Sequence, residues 1–267
     1  SIASGKNSKN FAMDSSLQRA LLLGMEEGEQ HIEQQYVANT CKEPAFDRFR
    51  CESVERMARA TAQREGLNAS QIDAMVAAGT RRLTLIQGPP GTGKTTVAFQ
   101  VLRIWLQSGV RPILAAADSN TAVDNLVEGL ARLGVRVVRA GRAENVRPEL
   151  QQFTLDFGSM SNMGYRVSKE QEYERQMSEL RRADVICATC SGAGSETLER
   201  LKFPGVIVDE AAQATEPSVL VPITQGAQRV ALVGDHFQLA ATVKSREAES
   251  QGLSRSLFTR LAAQGVE

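Results

Sequence analysis

The residues Gly88-Pro89-Pro90-Gly91-Thr92-Gly93-Lys94-Thr95 place glycines, one full positive charge and a hydroxyl side by side. Glycines at these positions let successive backbone N–H groups turn toward one point, and Lys94 reaches the β and γ phosphates of a nucleotide held there. Thr95 offers the hydroxyl that holds Mg²⁺, and Thr96 completes the nucleotide-facing stretch. The ligand class is a nucleoside triphosphate. A second group, Asp209-Glu210, follows the apolar run Val206-Ile207-Val208. Two acids at the end of a buried strand sit where an open α/β sheet has its ligand crevice. Asp209 is expected to serve Mg²⁺ and Glu210 to orient or deprotonate the attacking water, because phosphoryl transfer depends on charge neutralisation and alignment. A third apolar run ends in Gly234-Asp235-His236-Phe237-Gln238, and Gln238 is placed to sense the γ phosphate.

The elements that must position these groups are legible from periodicity. Leu83-Thr84-Leu85-Ile86 reads as a strand entering the glycine-rich loop, and Val97, Val101, Ile104 and Trp105 continue from the loop at helical spacing until Gly109. Trp105 falls on the apolar face, which makes it a core residue. Pro112 to Ala117 reads as a second strand, followed by a helix carrying Val123, Leu126, Val127, Leu130 and Leu133 and ending at Gly134. Further strands are expected at Val135 to Val138, Asp184 to Ala188, Val206 to Val208 and Val230 to Val233. This alternation predicts an α/β fold, a mostly parallel sheet with helices on both faces.

With 267 residues the chain has room for one full core and an accessory piece. Its 31 basic and 31 acidic residues balance, so no overall field draws it to polyanions, and any such site must be local. Cys41, Cys51, Cys187 and Cys190 read as reduced thiols; Cys187 and Cys190 lack a second pair, and His31 and His236 are the only histidines, so zinc is not expected. The glycosylation-type triplet Asn68-Ala69-Ser70 follows no signal peptide, and no apolar run reaches membrane-spanning length. No membrane partner is expected. The expected location is the cytoplasm, with the nucleus also open.

The glycine-rich loop alone is shared with hexameric AAA ATPases. Asp209-Glu210-Ala211-Ala212-Gln213 and Gly234-Asp235-His236-Phe237-Gln238-Leu239, however, resemble motifs II and III of superfamily 1 helicases. Ser119-Asn120-Thr121-Ala122-Val123-Asp124-Asn125-Leu126 resembles motif Ia, and Val185-Ile186-Cys187-Ala188-Thr189-Cys190 motif Ic, of the branch containing the nonsense-mediated-decay RNA helicase. Ala214-Thr215-Glu216-Pro217 and Gly252 to Phe258 strengthen the similarity, which runs from about Asn68 to the C-terminus.

The resemblance implies a first RecA-like, P-loop NTPase domain over residues 67–267. Gln71 takes the place of the glutamine that reads adenine, making ATP the implied nucleotide. Ser119, Asn120, Thr121 and Thr189 take the places of residues contacting single-stranded nucleic acid, with RNA favoured over DNA; capping by Asn120 and turn formation by Thr189 are their structural readings. A second RecA-like domain of a longer chain is implied beyond Glu267, as the start at Ser1 also suggests, and regulatory proteins are further implied partners. Isolated turnover should be weak. Asp118 departs from the family's usual proline, and Ala240 and Ala241 stand where proline or glycine is usual. A half-motor that binds nucleic acid or protein under nucleotide control without translocating, and a DNA helicase of the same superfamily, remain alternatives. Residues 1–66 are expected to form a helical, stalk-like accessory segment, with apolar positions Leu17, Leu21, Met25, Ile32 and Tyr36, then Phe46, Phe49, Val54, Met57 and Thr61. Residues 144–183 are expected to be a helical insertion carrying Tyr173, Met177 and Leu180, with Ser168 opening a capping box.

Overall fold

The computed structural model describes residue 21 and residues 48–155 and 169–266. The glycine-rich loop joins strand β1 (Leu83–Gln87) to a helix (Lys94–Gln107), as the residue pattern requires. Helices α1 (Arg48–Glu65) and α2 (Ala69–Thr80) precede it; the loop helix is α3, followed by α4 (Asn120–Arg132), α5 (Lys169–Arg182), α6 (Glu216–Ile223), α7 (Arg246–Ser250) and α8 (Leu257–Ala263). The remaining strands are β2 (Ile113–Ala117), β3 (Val137–Ala140), β4 (Thr154–Leu155), β5 (Val185–Thr189), β6 (Gly205–Asp209) and β7 (Arg229–Gly234). They form one seven-stranded sheet in the order β1-β7-β6-β2-β5-β3-β4. Every pairing is parallel. The fold is α/β with an all-parallel sheet, so the strands all end on one edge.

Successive strand residues face opposite sides of a sheet, and the two cores divide accordingly. Ile113, Ala115, Ala117, Ile207 and Val233 join a cluster with α1 to α4; Leu114, Ala116, Val206, Val208 and Leu232 join one with α5, α6 and α8. Trp105 is fully buried, and its indole N–H donates to the Ala78 carbonyl at 2.8 Å, tying α3 to α2. Gly205 makes room for that ring: a Cβ there would stand 3.0 Å from Trp105. Val54 and Ala58 of α1 are buried in the same core as the loop helix, so this helix packs on the domain. Leu21 is helical and buried, and its carbonyl accepts from Arg260. Leu17, Met25, Ile32, Tyr36, Cys41, Phe46, Ser168 and the side chain of Phe49 lie outside the described residues.

Two departures from the sequence reading exceed a single residue at a strand end. Strand β3 begins at Val137, because Gly134, at φ +71°, reverses the chain and the Val135 N–H returns to the Leu130 carbonyl. That is the usual backbone closure of a helix end. The segment from residue 144 is not uniformly helical either. Pro148 opens a 3₁₀ turn (Pro148–Phe153), and Thr154 and Leu155 then pair with Arg139 and Ala140 as a seventh strand. Among the described residues of this segment the α-helix is α5, where Met177 and Leu180 are buried and Tyr173 packs against the same core.

Candidate nucleotide and single-strand sites

Parallel strands gather the chemistry at one sheet edge. The loop after β1 is shaped by Gly91 and Gly93 at φ +77° and +81°, which L side chains rarely adopt. A Cβ on Gly88 would stand 2.6 Å from the Thr92 hydroxyl, which itself donates to the Pro89 carbonyl. Lys94 opens α3, and its ammonium donates to the carbonyls of Gly88 and Pro89 at 2.7 and 3.2 Å. The loop thus holds the lysine ammonium on its own carbonyls. Pro90 and Thr96 are exposed beside it.

Gln71 reaches this loop from α2. Its side-chain oxygen accepts from the Asn68 N–H, closing a capping box, and its amide donates to the Thr92 carbonyl at 3.0 Å. The glutamine is therefore braced between a helix start and the phosphate loop.

Asp209 ends β6, two strands from β1, with β7 between. It is buried, and the nearby Thr95 hydroxyl helps to stabilise its charge. Burial and the neighbouring Glu210 charge push its carboxyl up to about 6, against the opposing pull of the Glu210 N–H, Lys94 and Thr95. A buried carboxylate whose charge is this disfavoured, with a threonine hydroxyl nearby, is a donor set that fits Mg²⁺. Glu210 has a φ of +53°. The left-handed region costs a non-glycine residue roughly 1–2 kcal/mol, and the Gln213 amide donates to the Glu210 carboxylate at 3.4 Å.

On β7's end, Gln238 donates its amide to Asp235 at 3.1 Å, and the Phe237 N–H donates to the other carboxylate oxygen at the same distance. These bonds, with Lys94 nearby, hold the Asp235 carboxyl below the usual carboxylate range. Asp235 is thus the residue that positions Gln238, a role signalled in sequence only by the three-residue spacing.

Along the same edge, the ends of β2, β3 and β5 enclose a crevice of about 540 Å³ lined by Asp118, Asn120, Arg139, Arg142, Thr189 and Ser191 among others. It brings together residues from both nucleic-acid motifs. Asn120 does not cap α4; Ser119 does, accepting from the Ala122 N–H, and Ser119 and the exposed Thr121 are not among the lining residues. Thr189 accepts from the Gly192 N–H, so its turn-forming role is present within the crevice wall. Asp118 accepts a hydrogen bond from Ser218 at 2.7 Å. Arg139 and Arg142 escaped the motif reading, since isolated arginines after a strand carry no pattern of their own. Cys187 and Cys190 are buried, and desolvation pushes both thiols up to about 12. They pack as apolar side chains.

The AAA_11 family, described as an AAA domain, matches residues 66–166 and 157–246. The chain is 39% identical over 229 residues to "Regulator of nonsense transcripts 1" of Dictyostelium discoideum, covering 74% of this chain and 17% of that protein. It is 39% identical over 230 residues to "ATP-dependent helicase upf1" of Schizosaccharomyces pombe, covering 74% and 25%. Against "ATP-dependent helicase NAM7" of Saccharomyces cerevisiae it is 37% identical over 221 residues, covering 74% and 23%. The chain thus spans a quarter or less of the length of these relatives.

Proposed function

We infer that this chain, which belongs to the AAA_11 family and within it to the superfamily 1 branch of the nonsense-mediated-decay helicases, is an ATP-binding half of a motor that grips single-stranded RNA. One observation carries the reading: a single sheet edge presents the phosphate loop, the Thr95–Asp209 pair and Glu210 on one side and the Asn120–Thr189 crevice on the other. Lys94 and the backbone N–H groups at the start of α3 hold the triphosphate. Gln71 braces the loop and stands at the mouth where an adenine would lie. Mg²⁺, when held by Thr95 and Asp209, supplies charge neutralisation at the β and γ phosphates. Glu210, the residue that follows β6, aligns and deprotonates the attacking water, and Gln238, fixed by Asp235, registers the γ phosphate.

Phe237 and Leu239 flank Gln238 with 82% and 84% of their surface exposed. Apolar side chains presented there fit a second RecA-like domain closing over the nucleotide, and a β7 loop touched by that domain would link hydrolysis to stepping. The RNA preference rests on the relatives' printed names, since phosphate contacts read neither base nor, necessarily, sugar. The test is Glu210→Gln. It should keep Mg-ATP binding by calorimetry while single-turnover hydrolysis falls roughly 100-fold or more, because an amide cannot act as the base. Retained hydrolysis would remove Glu210 from the mechanism, and an unaltered parent that binds no Mg-ATP would overturn the function.

A further inference from the structure

We propose that Arg139 is a positioning residue for the single-strand crevice: it does not meet the strand but fixes the Asn120 amide with its N–H groups toward a phosphodiester oxygen. The inference rests on reading that crevice as the strand's path.

Arg139 lies on β3 with 1% of its surface exposed. Its guanidinium donates from Nε to Asp124 Oδ1 at 3.3 Å, from Nη1 to the Ala140 carbonyl at 2.6 Å and from Nη2 to Asn120 Oδ1 at 2.8 Å. A guanidinium has only donors, so the Asn120 atom that meets it must be the oxygen. The NH₂ end of the same amide is thereby turned the other way, and Asn120 lines the crevice. Without this bond an asparagine can present either end, and its oxygen would repel a phosphate.

The arrangement is built around the guanidinium. Asn120 and Asp124 are one turn apart on α4 and share a face, so one helix supplies both the carboxylate that neutralises Arg139 and the amide that Arg139 orients. Asp124 is 2% exposed, and its second oxygen accepts the Arg147 N–H at 3.0 Å. Gly141 leaves the space: a Cβ there would stand 2.8 Å from Arg139 Nη1. A buried, fully compensated arginine adds no charge to the crevice. Its contribution is orientation, and this separates it from a direct phosphate contact.

The experiment measures anisotropy of a labelled single-stranded oligouridine across a salt series, alongside thermal melts. Arg139→Lys keeps the charge beside Asp124 but loses the second arm that reaches Asn120. Affinity should fall roughly three- to tenfold, the scale of one hydrogen bond, with the slope of log K against log salt unchanged. In an Asn120→Ala background the same substitution should have no further effect. Asn120→Asp, which retains the Arg139 bond but presents oxygen to the strand, should weaken binding at least as much while the melting temperature holds. A slope reduced by about 0.7, the loss of one charged contact, or an Arg139→Lys effect that persists without Asn120, overturns the proposal. If Arg139→Lys fails to fold, Asn120→Asp decides, and unchanged affinity refutes it. A parent chain that binds no strand at low salt refutes the crevice reading itself, and this inference with it.

Discussion

Removing Arg142 should change how strand binding depends on salt. Its side chain lines the crevice mouth and is 70% exposed, and its ion pair with Glu144, 3.6 Å away and 71% exposed, is open to solvent. Such a pair restrains the guanidinium weakly. A phosphate can therefore take it over, releasing condensed counterions. For single strands each neutralised phosphate contributes about 0.7 to the slope of log K against log salt. Arg142→Ala should flatten the slope by about that amount, which corresponds to a roughly eightfold loss of affinity at 0.05 M salt and a less than twofold loss at 0.5 M. Arg142→Lys should restore most of the slope, since the contact requires charge more than a planar fork. Anisotropy titrations at four or more salt concentrations measure this directly. An unchanged slope, or a loss of affinity that is constant across the series, would show that the strand does not meet Arg142.

Lys94→Ala should weaken Mg-ATP binding roughly ten- to a hundredfold by calorimetry, the scale of hydrogen bonds to charged groups, with a near-parental melt; equal affinity would remove Lys94 from the site. Asp209→Asn should abolish Mg²⁺-dependent nucleotide binding and, in chelator, stabilise the fold in a pH-dependent way. Burial moves the carboxyl from its ordinary 3.8 to about 6. Below pH 3.8 both folded and unfolded chains carry the proton and the group contributes nothing; between these values only the unfolded chain releases it, so stability falls as pH rises. Above about pH 6 the penalty is complete at roughly 3 kcal/mol. Urea melts should show the variant ahead of the parent at about pH 8 and level with it near pH 4, and a pH-independent gap would contradict the cause. Asp118→Asn keeps an acceptor for Ser218 but removes a negative charge from the crevice, so strand affinity should rise a few-fold at low salt and not at high salt; no gain at low salt would place the strand elsewhere.

Asp118, at the end of β2, is bonded to Ser218 on α6, the helix that follows Asp209 and Glu210. This contact joins the end of β2 to the helix that follows β6.

The amino-acid sequence by itself determined the chemistry wherever the acting groups are neighbours in the chain. The glycines of residues 88–93 dictate a tight loop, with Gly91 and Gly93 at positive φ, because backbone freedom is a local property, and Asp209 and Glu210 announce themselves at the end of an apolar run. Helical periodicity likewise placed Trp105 in the core, and strand-helix alternation predicted the parallel sheet. Tertiary structure decided what depends on contacts between distant residues. Which strand lies between β1 and β6 follows from the packing of all seven. The short β4 has too few residues for a pattern and exists because β3 offers an edge. Arg139 carries no sequence pattern of its own, and only the fold sets it against Asp124, fifteen residues earlier; the motif that singled out Gln71 says nothing of Thr92, whose carbonyl the fold brings within 3.0 Å. Local sequence encodes which groups a residue carries and how its backbone bends; only the closed fold sets which of them are buried together, and burial gives each its charge state and partner.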